Sequence, residues 1–141
     1  LDLDRAEQIY AMRMAVEPLH IRRTFGRATE ADLREAREIV DAIDTTDDLL
    51  TFNQLDERFH ALTQVLDDSP TANTLRTLAG AAAPYVFFSL RLRPEQIRES
   101  NANHRRQVAA VVDGDMERFI ALELEHLEST ISILRKLGSR L

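Results

Sequence analysis

A chain of 141 residues, 44% of them hydrophobic, can bury one core without covalent staples. Its formal charge of −6 and pI near 5.2 are opposite to the basic footprint that phosphate neutralisation requires, which argues against a DNA-binding surface. The chain has no cysteine, which removes disulfides, thiolate nucleophiles and sulfur ligands, so a bound metal would have to be held by nitrogen and oxygen.

No apolar run reaches the roughly 20 residues needed to span a bilayer, and the N-terminus lacks the basic-then-apolar layout of a signal peptide. A soluble, cytoplasmic protein with no membrane partner is expected. The chain starts at Leu1 rather than Met, as a piece of a longer protein would, and one domain over residues 1–141 is expected.

Gly and Pro are sparse, no alternating β-branched run is visible, and 3–4 spacing recurs throughout, so the expected fold is all-α, an antiparallel bundle of about six helices. The first helix is expected over roughly residues 4–24, with Ile9, Met12, Val16 and Leu19 on its core face and a stop near Gly26. Thr29, with an acid three residues later, opens the second, whose stripe is Leu33, Ala36, Val40 and Ile43. Thr46 or Asp47 is expected to cap the third, where Phe52, Leu55, Phe59, Leu62 and Leu66 form the strongest stripe. Ser69 and Pro70 are an N-cap and first-turn proline for a fourth helix running to about Leu92, which Pro84 is expected to kink or split. Pro94 starts a fifth helix carrying Ile97, Asn101, His104, Val108 and Val111 on one face. Asp115 caps a sixth, with Phe119, Leu122, His126, Thr130, Ile133 and Leu137 in its stripe and Gly138 at its end.

The informative residues are polar groups at core positions. Asp56 and His60, one turn apart, flank the stripe of the third helix, and an i,i+4 pair can present two ligands to one ion. His104 and His126 occupy the centres of the fifth and sixth stripes. A single histidine on an apolar face is more often a hydrogen-bonded core residue than a ligand. Three on separate helices, one with a carboxylate a turn before it, point instead to a divalent metal at Asp56, His60, His104 and His126, which would also neutralise a buried carboxylate. Such a donor set suits zinc, nickel, cobalt, iron or manganese and does not by itself choose among them, and zinc is the ion expected first. His20 reads as an ordinary structural histidine.

Arg13 lies at the edge of the first stripe and needs an anion: either Glu17 one turn later or a bound carboxylate engaged by its fork. Tyr85, Phe87 and Phe88 read as core or dimer surface. Arg91, Arg93, Arg105 and Arg106 read as solvated helix faces.

These residues resemble the effector-binding domain of GntR-type transcription regulators, in the FadR C-terminal domain (FCD) branch. The likeness runs over nearly the whole chain through Arg13–Glu17, Ala28–Leu33, Asp56-Glu-Arg-Phe-His60, Asn73, Ser100–His104, Gly114-Asp115 and His126-Leu127. It implies that Asp56, His60, His104 and His126 ligate a metal on the floor of an effector cavity, that Arg13 contacts a small organic-acid effector, and that the protein is a homodimer. DNA would be read only through an N-terminal winged helix-turn-helix that is not among these 141 residues. Asn103 departs from the glutamate often found before the family's middle histidine. A metal-dependent enzyme and a metal-free helical interaction domain are the competing classes. Against an enzyme, the chain has no His-Glu-x-x-His, Gly-x-Ser-x-Gly or Gly-rich phosphate motif.

Overall fold

The computed structural model describes residues 2–138, and among these all regular structure is helical: α1 (Leu3–Thr24), α2 (Glu30–Asp44), α3 (Leu49–Thr63), α4 (Pro70–Leu92), α5 (Gln96–Val112) and α6 (Met116–Gly138). None of these helices is long and apolar enough to cross a membrane.

Local chemistry sets most boundaries. Thr29 and Asp32 form a reciprocal capping box at α2, and Ser69 caps α4 with Pro70 in its first turn. Asp115 Oδ1 accepts from Arg118 N at 3.1 Å at the start of α6. Gly26 and Gly114 take positive φ values of 91° and 69° after α1 and α5, a conformation that costs glycine little. Asp48, not Thr46 or Asp47, caps α3, through Thr51 N at 2.9 Å and Thr51 Oγ1 at 2.6 Å. Pro84 does not split α4, because its ring lies on the exposed face of one continuous helix.

The core is two helical layers joined at a seam. α2, α3 and α5 bury Ala36, Ile39, Val40, Ile43, Phe52, Phe59, Leu62, Ile97 and Val108. α1, α4 and α6 bury Ala6, Ile9, Tyr10, Ala82, Tyr85, Leu127, Ile131 and Leu134. A third cluster, with Ile21, Ala110 and Phe119, joins α1, α5 and α6 at one end.

The face of α1 differs from its sequence pattern. Met12 and Leu19 are 48% and 60% exposed, while Glu17, His20 and Thr24 are buried. The reason is tertiary. His20 Nε2 donates to the carbonyls of Gln64 and Val65 at 3.0 and 3.2 Å, its Nδ1 accepts from Thr71 Oγ1 at 2.8 Å, and Thr24 Oγ1 donates to Gln64 O at 2.9 Å. These bonds hold the α3–α4 turn, where Val65 adopts φ 52°, a left-handed conformation costing a β-branched residue on the order of 1–2 kcal/mol. His20 is thus a structural anchor, and the turn it fixes aims Gln64 and Leu66 at the functional cavity.

Candidate metal centre and its cavity

Asp56 and His60 project from α3, His104 from α5 and His126 from α6 into the seam between the layers. One donor atom from each of the four lies within 4.8 Å of all the others. The Nε2 atoms of His104, His60 and His126 converge on a single oxygen, Asp56 Oδ1, at 2.8, 3.2 and 3.9 Å. The three rings form a nearly equilateral triangle, with centroid separations of 5.4, 5.3 and 5.6 Å. Phe59 packs on His104 at 4.3 Å and closes one side.

The proton positions are set from outside this cluster. Asn101 Nδ2 donates to Val40 O at 2.9 Å and to Asp44 Oδ1 at 2.8 Å, so its carbonyl oxygen is what faces His104 Nδ1, at 3.3 Å. His104 Nδ1 therefore carries a proton to donate. In that tautomer its Nε2 lone pair points into the cluster beside Asp56 Oδ1 at 2.8 Å, the orientation of a metal-ligating imidazole.

His60 lies between carboxylates, with Nε2 on Asp56 and Nδ1 3.3 Å from Glu123 Oε2. Burial opposes its charge, but Glu123 and Asp56 outweigh burial and hold its pKa well above the ordinary value. Asp56 is displaced the other way: burial would raise it, and His60 and His104 together hold it well below the usual range. Burial lowers His126 to about 4, against the pull of Asp56 and Glu123, so this imidazole is neutral at pH 7.

Glu123, 1% exposed, is the residue that sequence reasoning missed. Burial would raise its pKa, yet His60 foremost holds it far below normal, and its two oxygens make no hydrogen bond among the described residues. It lies three residues before His126 on the buried face of α6, but Glu117, Glu125 and Glu128 nearby obscure it as one acid among several. Asn103 takes a structural role, donating to Leu122 O at 3.0 Å and accepting from Gln107 Nε2 at 2.6 Å, which ties α5 to α6 beside the cluster.

Asp56 and His60 also line a cavity of about 570 Å³ together with Arg13, Glu17 and Gln64. Its walls come from α1, α3 and α4, while His104 and His126 on α5 and α6 are not part of its lining. Arg13 Nε binds Glu17 Oε2 at 3.1 Å and its guanidinium lies 5.5 Å from the Tyr10 ring centre. Its Nη groups have no hydrogen-bond partner among the described residues. Gln64 Nε2 donates to the other oxygen of Glu17 at 3.2 Å.

Burial raises Glu17 to about 7, against the attraction of Arg13. A carboxylate whose folded pKa exceeds its unfolded value contributes stability below the unfolded pKa and loses it as pH rises through the folded one. Between pH 4.5 and 7.5 without metal, the stability difference between the parent and Glu17→Gln is expected to shift toward the variant by roughly 3 kcal/mol at most. Chemical denaturation at several pH values checks this, and a constant difference would refute it.

The fold is a helical bundle in which four side chains that could hold a metal ion meet beside a cavity. The chain belongs to the FCD domain family, whose model matches residues 8–129, and FCD domains are regulatory, effector-binding domains. No curated protein and no solved structure matches the chain.

Proposed function

We propose that this chain is the metal-containing sensor of a cytoplasmic GntR-type transcription regulator, in which Asp56, His60, His104 and His126 hold one divalent ion, zinc foremost, and a small carboxylate effector binds between that ion and Arg13. The observation that carries this is the convergence of three imidazole Nε2 atoms on Asp56 Oδ1, with His104 fixed by Asn101 in the tautomer that leaves Nε2 bare. The donors fit the ion by chemistry as well as placement, since neutral imidazoles and one carboxylate are ordinary ligands for late first-row metals. When bound, the ion supplies a Lewis-acidic position for an effector oxygen.

The chain's own residues supply the rest. Arg13 lines the cavity with its Nε held by Glu17, and its planar fork suits a carboxylate. The donors come from both helical layers, α3 and α5 on one side and α1 and α6 on the other, so a ligand held among them favours one relative placement of the layers. In a homodimer carrying DNA-reading domains, such a shift would be read as a change in their spacing, with couplings typically about 1–3 kcal/mol. Exposed Met12 and Leu19 on α1 and Phe88 and Leu92 on α4, two helices that pack together, are the surface a second copy would cover.

Elemental mass spectrometry of the purified chain tests the first half of this proposal. Near one ion per chain is expected, lost in a His104→Ala/His126→Ala double variant, followed by stabilisation of the loaded parent with small carboxylates. Absence of metal, with no stabilisation on adding zinc, nickel or manganese, would leave a helical domain whose histidines are only well packed.

A further inference from the structure

The cavity is larger and less polar than a small hydrophilic acid needs. Its volume of about 570 Å³ falls within the roughly 300–1,000 Å³ of sites that enclose drug-sized ligands. Asp56, His60, Arg13, Glu17 and Gln64 form one polar group of its lining and Asn53, Gln54, Glu57, Arg58 and Arg76 another, while Leu66, Leu75, Ala79, Gly80, Ala83 and Val86 supply apolar wall.

Five of those six lie on one face of α4, and the small ones create the space. Gly80 has an ordinary helical φ, so no turn requires a glycine there, and glycine within a helix is destabilising relative to alanine. A Cβ added at Gly80 would meet no atom within 4 Å. Gly80 is exposed at the edge of the cavity it lines, so a larger side chain there can extend over the opening.

The cations toward the cavity's outer part are already engaged. Arg58 holds both oxygens of Glu35 at 2.6 and 3.2 Å, and Arg76 donates to Leu66 O, Asp67 O and Asn73 Oδ1 at 2.9, 2.9 and 3.0 Å. Glu57 adds a negative charge to the same lining. A second carboxylate on the ligand would have to compete with Glu35 for Arg58 or with three neutral acceptors for Arg76, and the α4 face would strand it against carbon.

We infer that the cavity selects monocarboxylates with an extended apolar body, aliphatic or aryl, over small polycarboxylates, and that the α4 wall at Gly80 sets the bulk it accepts. This rests on the carboxylate reading of the same site and narrows it.

Calorimetric titration of the zinc-loaded chain with acetate, butyrate, hexanoate, octanoate and tricarballylate, in the parent and in Gly80→Leu, tests it. In the parent, affinity should climb along the alkanoates by up to about fourfold per methylene, with octanoate far above tricarballylate. Gly80→Leu should remove the gain beyond butyrate, with the melting temperature of the variant at or above the parental value showing that it folds. Gly80→Ala, adding one methyl, should show a smaller loss for octanoate.

Alkanoates binding with equal affinity, tricarballylate binding tighter than octanoate, or a length dependence untouched by Gly80→Leu would each overturn the apolar-body inference while leaving the carboxylate reading standing. Failure of every acid to bind a chain shown to hold zinc would overturn both.

Discussion

Loading the chain with zinc is expected to raise its melting temperature by on the order of 10 °C when free ion is about a thousandfold above Kd, since binding to the native state alone then adds about 4 kcal/mol. The gain should depend steeply on pH in a direction the site dictates. Without metal, Asp56 and Glu123 hold the His60 proton well above its ordinary range, so His60 contributes stability that is complete below its unfolded pKa and fades as pH rises through the folded one. Ligation needs that proton gone, so the loaded chain behaves in the opposite sense. The two stability curves should diverge as pH rises, and zinc affinity should increase by about tenfold per pH unit while one proton is displaced. His126 adds nothing to this slope above pH 5, because burial lowers it to about 4 and leaves it already neutral. Scanning calorimetry with and without chelator from pH 5.5 to 8.5, with proton release counted by titration in buffers of different ionisation enthalpy, checks both parts. Melting curves that superimpose with and without zinc would reject the site, and binding without proton release would reject the charged state assigned to His60.

The donors were legible in the sequence because each breaks a local pattern. His104 and His126 sit where apolar periodicity expects a Leu or Val, and Asp56 and His60 repeat at one turn beside the cleanest stripe of the chain. The α2 and α4 starts were legible for a similar reason: the capping box at Thr29 and the Ser69-Pro70 pair act within four residues. What could not be read depends on partners distant in sequence. The buried face of α1 carries Glu17, His20 and Thr24 rather than Met12 and Leu19, and bonds to the α3–α4 turn, distant in sequence, help make those polar positions tolerable. Asn101 stood out as polar within an apolar stripe, but its role requires Val40 and Asp44, which lie about 60 residues away in the chain as its bonds to them record. The α4 wall left no signal, because alanine and glycine in a helix look the same whether they face a neighbour or a cavity.

Glu123→Gln separates a carboxylate that orients a ligand from one that merely fills space. Gln keeps the volume and a hydrogen-bonding oxygen but removes the charge facing His60 Nδ1. A ligating imidazole is oriented and made more basic by a carboxylate facing its other nitrogen, and mutating such a partner typically costs about 10- to 100-fold in metal affinity. At pH 8.5, where proton competition is weakest, a loss of that size is therefore expected in competition with a chelator of known affinity. The pH dependence supplies a second signature. His60 in the variant keeps only Asp56 to stabilise its charge while burial still opposes it, so its pKa falls and the rise of affinity with pH should end at a lower pH than in the parent. Nitrogen NMR of the His60 ring should show the same downward displacement without metal. A general packing defect would weaken binding at every pH without moving that titration, and an unchanged midpoint would assign Glu123 to packing rather than to the charge balance of the site.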